Sequence, residues 1–518
     1  MNVLLVYPQF PDTYWSFKHA LHFVGKKVSS PPLGLITVAS LLPDHWQKKL
    51  VDMNASRLTQ KEIDWADLVL ISAMIVQRDS VNKVIHRIKE SGKKIAAGGP
   101  LFTAEPEKFP EVDYLILNEA EVTLPLFLMD FEHGIAKHIY TSQIFPDINQ
   151  TPIPAWDLLN MKKYDSMSIQ YSRGCPYNCE FCDVTVLFGH RPRTKSATQL
   201  IAELDQLYIR GWRRNIFFVD DNFIGNKRQL KDEILPALVQ WRKGKSGCLF
   251  LTEASINLAD DDELMEMMVQ AGFYSVFIGV ETPDEASLIE CNKVQNQKRD
   301  LLGSIKKLQR AGLQVMGGFI VGFDSDSLTI FDRQVSFIQE SGILTAMVGL
   351  LNALPGTALH ARLLKEGRIL EDSSGDNVNG RTNFLTQMDP DLLLKGYRSI
   401  LTRIYSPELF YQRIKTFLKE YQPMRPSVTL EVQEIFAFFR AIWKLGVFGR
   451  ERRYFWDLVL WTLKNEAHKF PLAITFSIYG YHFRRVTEEH VNPLPSRSFH
   501  SAPEIRLPVA PRPVSYKP

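Results

Sequence analysis

Three of the chain's five cysteines fall within eight residues, in the stretch Ser172–Arg173–Gly174–Cys175–Pro176–Tyr177–Asn178–Cys179–Glu180–Phe181–Cys182. The spacing is C-x3-C-x2-C. Three thiolates on one short loop hold three irons of a [4Fe–4S] cluster and leave the fourth iron open to a small molecule. Gly174 and Pro176 keep such a loop compact, and Phe181 sets an apolar ring beside the last cysteine. Two other assignments compete: structural zinc with His190 as a fourth ligand, and three buried, unreactive thiols. Zinc sites usually pair their cysteines in C-x2-C knuckles, and no second knuckle follows here. For Cys175, Cys179 and Cys182 to share a pocket, the loop must follow a strand and lead into a helix.

At ~150 residues per domain, 518 residues suggest about three domains. A net charge of +3 is too small to argue for nucleic acid or a strongly anionic partner. Cys248 and Cys291 stand alone and are expected to be buried, inert thiols. Five cysteines in so long a chain make no disulfide framework, so a reduced, cytoplasmic location is expected. The N-terminus has no basic n-region of a signal peptide, and no run of 18 apolar residues predicts a membrane span.

The first third alternates short apolar runs with amphipathic ones. Val3–Val6, Lys49–Met53, Asp67–Ala73, Lys94–Gly98 and Asp113–Asn118 read as strands, and Val81–Glu90 reads as a helix stopped by Ser91–Gly92. Continuous apolar strands with helices between them predict a parallel, doubly wound sheet, whose ligands bind at the carboxyl ends of the strands. Those ends are small or polar: Ser72–Ala73–Met74, Gly98–Gly99–Pro100 and Asn118–Glu119–Ala120–Glu121. The stretch Phe10–Pro32 is long for a connection and rich in aromatics. It either covers a cofactor or substrate entrance or packs as an insert.

From Ser166 the alternation becomes regular. Strands are predicted at Ser166–Tyr171, Asn215–Asp220, Leu249–Ile256, Ser275–Glu281, Gln314–Phe323 and Thr345–Leu351. Helices between them end at Gly211, Gly272, Gly312 and Gly342, where C-caps belong. Six strand–helix units predict a partial (β/α)6 barrel, with chemistry at the carboxyl ends of its strands. Asp221, Glu253, Ser255 and Glu281 lie at or near those ends. Any one of these carboxylates is equally readable as a helix cap or a surface pair; as a set beside the cysteine loop they point to a site. Beyond residue 358 the chain reads as helices rich in Phe, Trp and Tyr mixed with Arg and Lys, then a proline-rich tail. Such helices form either a packed cap or a surface that rests on a membrane.

The cysteine motif resembles the signature of radical S-adenosylmethionine (SAM) enzymes, where the open iron chelates SAM. The resemblance implies SAM contacts from Phe181, Asp221, Glu253, Ser255 and Glu281. Glu290–Asn296 resembles the Lys-x-x-Asn stretch after the fourth strand in that superfamily, and Pro152–Leu158 resembles the connection preceding its catalytic domain. The first domain resembles cobalamin-binding domains in its Ser-x-Leu-like, Gly-Gly and Gly-Glu-Gly-Glu-like turns, which implies cobalamin contacts from Ser72, Met74, Gly98, Gly99 and Glu119. Met74 stands for Leu, Asn118 and Ala120 stand for glycines, and the Asp-x-His-x-x-Gly loop is missing. Cobalt is therefore expected to lack a histidine ligand, with its lower face near Met74–Arg78.

The opening Tyr7–Phe17 and the C-terminal region resemble the hopanoid C-2 methylase group. The fold implied is α/β: a Rossmann-like cobalamin domain (1–140), a linker (141–163), a radical SAM partial TIM barrel (164–358), a mostly helical domain (359–490) and a disordered tail (491–518). The activity implied is methylation of an unactivated carbon, on a lipid-like small molecule such as a hopanoid. The reduced cluster would cleave SAM, and cobalamin would deliver the methyl group. A flavodoxin or ferredoxin would supply electrons. Peripheral membrane contact, but no transmembrane span and no nucleic-acid partner, is expected. Cobalamin-dependent ring closure or rearrangement without methyl transfer is an alternative, as is a cobalamin or redox sensor. A flavodoxin-like first domain with no ligand is the plainest alternative for residues 1–140.

Overall fold

In the computed structural model of the protein, residues 1–376, 379–423 and 432–491 are described. The proline-rich stretch from 492 onward, expected to be disordered, lies outside the described residues.

Strands β1 (Asn2–Tyr7), β2 (Gln47–Asp52), β3 (Leu68–Ser72), β4 (Lys94–Gly98), β5 (Tyr114–Ile116) and β6 (Ile139–Tyr140) form one parallel sheet in the order β2-β1-β3-β4-β5-β6. Val3, Leu4, Leu5 and Val6 are all fully buried, because helices cover both faces. Leu33–Leu41 and Ala120–Glu132 pack on one face; Arg78–Glu90 and the short Gln60–Trp65 pack on the other. The two-residue edge strand β6 carries no apolar run and left no mark in the sequence pattern. Strand order reverses between β1 and β3, which opens a crevice at their carboxyl ends.

The second sheet contains β7 (Met167–Ile169), then, after the antiparallel hairpin β8 (Ser172–Arg173) and β9 (Arg193–Thr194), β10 (Ile216–Phe218), β11 (Phe250–Ala254), β12 (Phe273–Glu281), β13 (Gln314–Val321) and β14 (Ala346–Leu350). All six long-sheet strands are parallel, in the order β14-β13-β12-β11-β10-β7, so the barrel is partial and keeps two edges. Gly211, Gly272, Gly312 and Gly342 all take positive φ after their helices, as cap glycines do. The hairpin was not visible as a strand pattern, because each of its strands has two residues.

The C-terminal part is helical, with Pro390–Ile404, Pro407–Glu420, Val432–Ala441, Arg452–Asn465 and Phe470–Val486 as its main helices. The segment 10–32 packs against it. Tyr14 hydroxyl bonds Thr487 Oγ1 at 2.9 Å and stacks on Tyr405 at 5.6 Å, while Phe17 stacks on His482 at 5.4 Å. Val28 then bridges to Tyr164, whose hydroxyl donates to Asp52 at 3.0 Å. One apolar cluster thus runs through Tyr14, Ala20 and Phe23, the barrel and the C-terminal helices.

Candidate active site

The cysteine loop leaves β8 and is followed by the short helix Val184–Phe188, the strand–loop–helix context that its spacing requires. Gly174 has φ +92, and a Cβ there would stand 2.8 Å from the Gly189 carbonyl oxygen. Only glycine lets the loop pass against that backbone. Cys175 N donates to the same carbonyl at 3.3 Å, and Cys182 N to Cys179 O at 3.2 Å. Two amides point at sulfur: Asn222 Nδ2 lies 3.9 Å from Cys175 Sγ and Gln295 Nε2 3.8 Å from Cys179 Sγ. Such N–H donors set the charge and potential of thiolate-bound iron. Burial pushes the Cys175 thiol up and the Cys182 thiol up to about 12. Metal binding overcomes this, since the ligand is the thiolate. Among the described residues no three His, Cys, Asp or Glu form a group able to hold a single metal ion. A cuboidal cluster spreads its three thiolates over three irons and needs no such convergence on one ion.

Beside the loop, β10 is followed by Asp220 and Asp221, which are neighbours with different surroundings. Asp220 is fully buried and accepts from Tyr171 N at 3.1 Å, Ser172 Oγ at 2.6 Å and Ser172 N, so it holds the chain entering β8. Asp221 Oδ2 is buried with no hydrogen-bond partner among the described residues. Burial, followed by the Asp183 charge, pushes Asp221 up to about 6. Glu253, on β11, faces the interior cavity. Burial pushes it up to about 8, with Asp221 and Asp220 adding repulsion. A buried, unpartnered Asp221 oxygen and a Glu253 raised by burial and neighbouring carboxylates fit a cationic ligand; SAM carries a sulfonium and an ammonium group.

The other residues linked with SAM are engaged. Ser255 donates through N and Oγ to Asn222 Oδ1 at 3.2 and 3.3 Å, and through Oγ to Asn257 at 2.6 Å. Glu281, with φ +62 at a bulge of β12, pairs with Lys293 at 2.6 Å. Phe181 packs 6.4 Å from Phe323, with Lys293 Nζ 5.9 Å above its ring. Asn296 Nδ2 donates to the Gly279 and Val280 carbonyls, both at 3.0 Å, so the segment 290–297 is folded back on the end of β12.

In the first sheet, Ser72 and Met74 line the crevice, and Met74 is 48% exposed. A Cβ on Gly98 would lie 2.5 Å from Ile116 O, and one on Gly99, at φ +92, 2.8 Å from Ser72 Oγ. No side chain fits at either position, which keeps the sheet end flat enough for a broad ring system. Glu119 is turned away from open space: its oxygens meet Arg173 at 2.5 Å and Arg193 at 2.7 Å. Gln77, which sequence reasoning passed over, ties the two crevice loops together. It accepts from Met74 N at 2.8 Å and donates to Pro8 O at 2.5 Å. His19 pairs with Glu489 at 3.2 Å.

A cavity of about 2920 Å³ runs from the crevice of the first sheet through the barrel interior to the C-terminal helices. Ser72, Met74 and Asn54 line it at the crevice; Glu253, Phe277 and Met316 line it in the barrel; Phe438, Phe470 and Tyr479 line it under the C-terminal helices. Trp15, from the 10–32 segment, sits 5.1 Å from the Phe277 ring inside it. That segment packs on the C-terminal helices and also walls the cavity.

Three family profiles match in succession: a B12 binding domain over residues 27–128, the radical SAM superfamily over 169–331 and a domain of unknown function, DUF4070, over 357–494. The chain is 44% identical to an uncharacterized methyltransferase of Synechocystis, over 94% of this chain and 92% of that protein. It is 34% identical to the hopanoid C-2 methylase of Rhodopseudomonas palustris, over 89% of each. Among solved structures it is similar to the cobalamin-dependent S-adenosylmethionine radical enzyme OxsB with aqua-cobalamin and S-adenosylmethionine bound. The TM-score is 0.60 at 16% identity, covering 95% of this chain and 84% of that one, which is a likeness of fold.

Proposed function

This chain belongs to the cobalamin-dependent radical SAM methyltransferase family, and we propose that it methylates an unactivated carbon of a polycyclic triterpenoid lipid of hopanoid type. It is an enzyme whose cofactors are a [4Fe–4S] cluster, SAM and cobalamin. The observation that carries the lipid reading is the single cavity from the β1/β3 crevice through the barrel to the aromatic C-terminal helices. Its length and its Trp15, Phe277, Phe438 and Tyr479 walls suit a long apolar substrate. The hopanoid C-2 methylase relative supports the same class.

In this reading Cys175, Cys179 and Cys182 hold three irons, and Asn222 and Gln295 hydrogen-bond the sulfurs. Asp221 and Glu253 receive the positive groups of SAM, Phe181 packs beside it, and Ser255 and Glu281 shape the wall through Asn222 and Lys293. Ser72, Met74, Gly98 and Gly99 form the floor for cobalamin, while Glu119 holds that floor in register with the cluster loop. Once bound, the cofactors supply the radical and the methyl group. The chain's own work is to hold and orient these ligands and to keep water from them. We assign residues 1–140 to the cobalamin domain, 141–163 to the linker, 164–358 to the barrel and 359–490 to the helical domain. A flavodoxin or ferredoxin supplies electrons, and the protein meets its lipid at a membrane surface.

The test is anaerobic reconstitution with iron, sulfide and cobalamin, followed by dithionite, SAM and a hopanoid, with products read by mass spectrometry. Iron near four per chain, 5′-deoxyadenosine, S-adenosylhomocysteine and a hopanoid heavier by one methylene are expected. Cys179→Ala loses all four. SAM cleavage without methylation of any hopanoid, but with methylation of another lipid from the same cells, would overturn the substrate class alone.

A further inference from the structure

The helix Val432–Ala441 and its continuation Ile442–Val447 bury Ala437, Ala441 and Leu445 and turn large apolar side chains outward. Phe439, Trp443 and Phe448 are 60%, 64% and 66% exposed. The helix Arg452–Asn465 repeats the inversion. It buries Phe455, Leu458 and Val459, while Trp456, Leu460 and Leu463 form an outward stripe. The two stripes meet where Trp456 Nε1 donates to Gly446 O at 3.0 Å.

The flanks of this patch are basic. Between residues 435 and 464 the chain has six Lys or Arg and two carboxylates. Both carboxylates are already paired, Glu451 with Arg484 and Asp457 with Lys415. Lys444, Arg450, Arg452, Arg453 and Lys464 are exposed. Among the described residues no helix is long and apolar enough to cross a membrane. An apolar centre with a cationic border, on helices too short to span, matches the chemistry of an anionic bilayer surface. A second copy of the chain would place the same basic border against itself in a two-fold interface. The patch is also continuous with the cavity, since Ile435 and Phe439 belong to both.

We infer that these two helices seat the enzyme on an anionic phospholipid surface, and that the cavity opens beside the seat so that a lipid substrate enters directly from the bilayer. The seat stands on its own; only the route of entry rests on the lipid reading above. The experiment is flotation of the reconstituted holoenzyme with phosphatidylglycerol-containing vesicles and with pure phosphatidylcholine vesicles, with no hopanoid present. Preferential flotation with the anionic vesicles is expected, weakened by salt. W443S/F448S and R450E/R452E/R453E should each weaken it about tenfold, with SAM cleavage in detergent unchanged. For a hopanoid presented in vesicles, W443S/F448S should lower turnover; for one presented in detergent it should not. Absence of flotation, flotation indifferent to both variants, or a dimer that either variant converts to monomer would overturn the seat. If the seat holds and no hopanoid is methylated, the substrate reading fails alone.

Discussion

Arg173 Nη1 lies 2.5 Å from Glu119 Oε2, and Arg173 Nη2 lies 2.8 Å from Glu121 Oε1, joining the cobalamin-type sheet to the residue before Gly174. Arg193, on β9, shares Glu119 at 2.7 Å. All four side chains are largely buried, so two positive and two negative charges balance across the interface between the sheet and the cluster hairpin. Removing both acids strands two buried cations, at a cost of roughly 3–5 kcal/mol. Glu119→Ala/Glu121→Ala should lower the urea midpoint markedly and reduce methyl transfer more than SAM cleavage, since the cobalamin floor loses its register with the cluster. Equal loss of both activities at unchanged stability would refute the clamp.

Gly174→Ala should impair cluster assembly. The substitution adds left-handed backbone strain of about 1–2 kcal/mol and a Cβ 2.8 Å from Gly189 O. Gly25→Ala, at φ +70 with open space around it, is the control that has the strain alone. Iron per chain and the electron paramagnetic resonance of the reduced protein should fall in the first variant and hold in the second.

SAM binding should release protons near neutral pH. Before SAM binds, Glu253, pushed up to about 8, keeps its proton at pH 7, and Asp221, at about 6, is largely ionised. A cation beside Glu253 favours its carboxylate, so the proton leaves on binding and affinity rises as pH rises toward 8. Calorimetry in buffers of different ionisation enthalpy measures this directly. Glu253→Gln should flatten both effects. Proton uptake on binding would place Glu253 elsewhere than beside SAM.

Acid should loosen the attachment of the 10–32 segment. His482 is fully buried, its Nε2 is 3.0 Å from Tyr14 O, and burial holds it down at about 4. Unfolded, it titrates near 6.5. Between those values the unfolded chain binds the proton and the folded chain refuses it. The contribution is complete above pH 6.5 and is lost as pH falls toward 4, about 3 kcal/mol in all. His19, whose ring lies 5.6 Å away, is also held down by burial and acts in the same direction. His482→Phe should lower the urea midpoint at pH 7.5, by losing the bond to Tyr14, and flatten its decline toward pH 5.

Cys175, Cys179 and Cys182 could be read together as a candidate ligand set because all three come from one loop, where spacing along the chain nearly equals spacing in space. The carboxylates were not separable in that way. Asp220 and Asp221 are identical neighbours, yet one is consumed by backbone amides of Tyr171 and Ser172 and the other keeps a buried Oδ2 without a partner. Glu119 sat in a turn resembling a cofactor contact, and its partners, Arg173 and Arg193, lie 54 and 74 residues away. Trp15 and Gln77 lay inside the marked stretches 10–32 and 74–78, but nothing singled them out there, because their roles depend on Phe277 and Pro8 across the fold.

By itself the sequence determined the cysteine loop, the parallel order of strands implied by alternating apolar and amphipathic runs, and the cap glycines at Gly211, Gly272, Gly312 and Gly342. These are local properties: periodicity, ligand spacing and left-handed backbone conformation act over a few residues. Tertiary structure alone decided which acids stay unpaired, how the sheet is clamped to the cluster hairpin, and that one cavity connects the crevice, the barrel and the basic, aromatic helices. Desolvation and ion pairing are set by whatever the fold brings within a few ångströms, and separation along the chain carries almost no information about that.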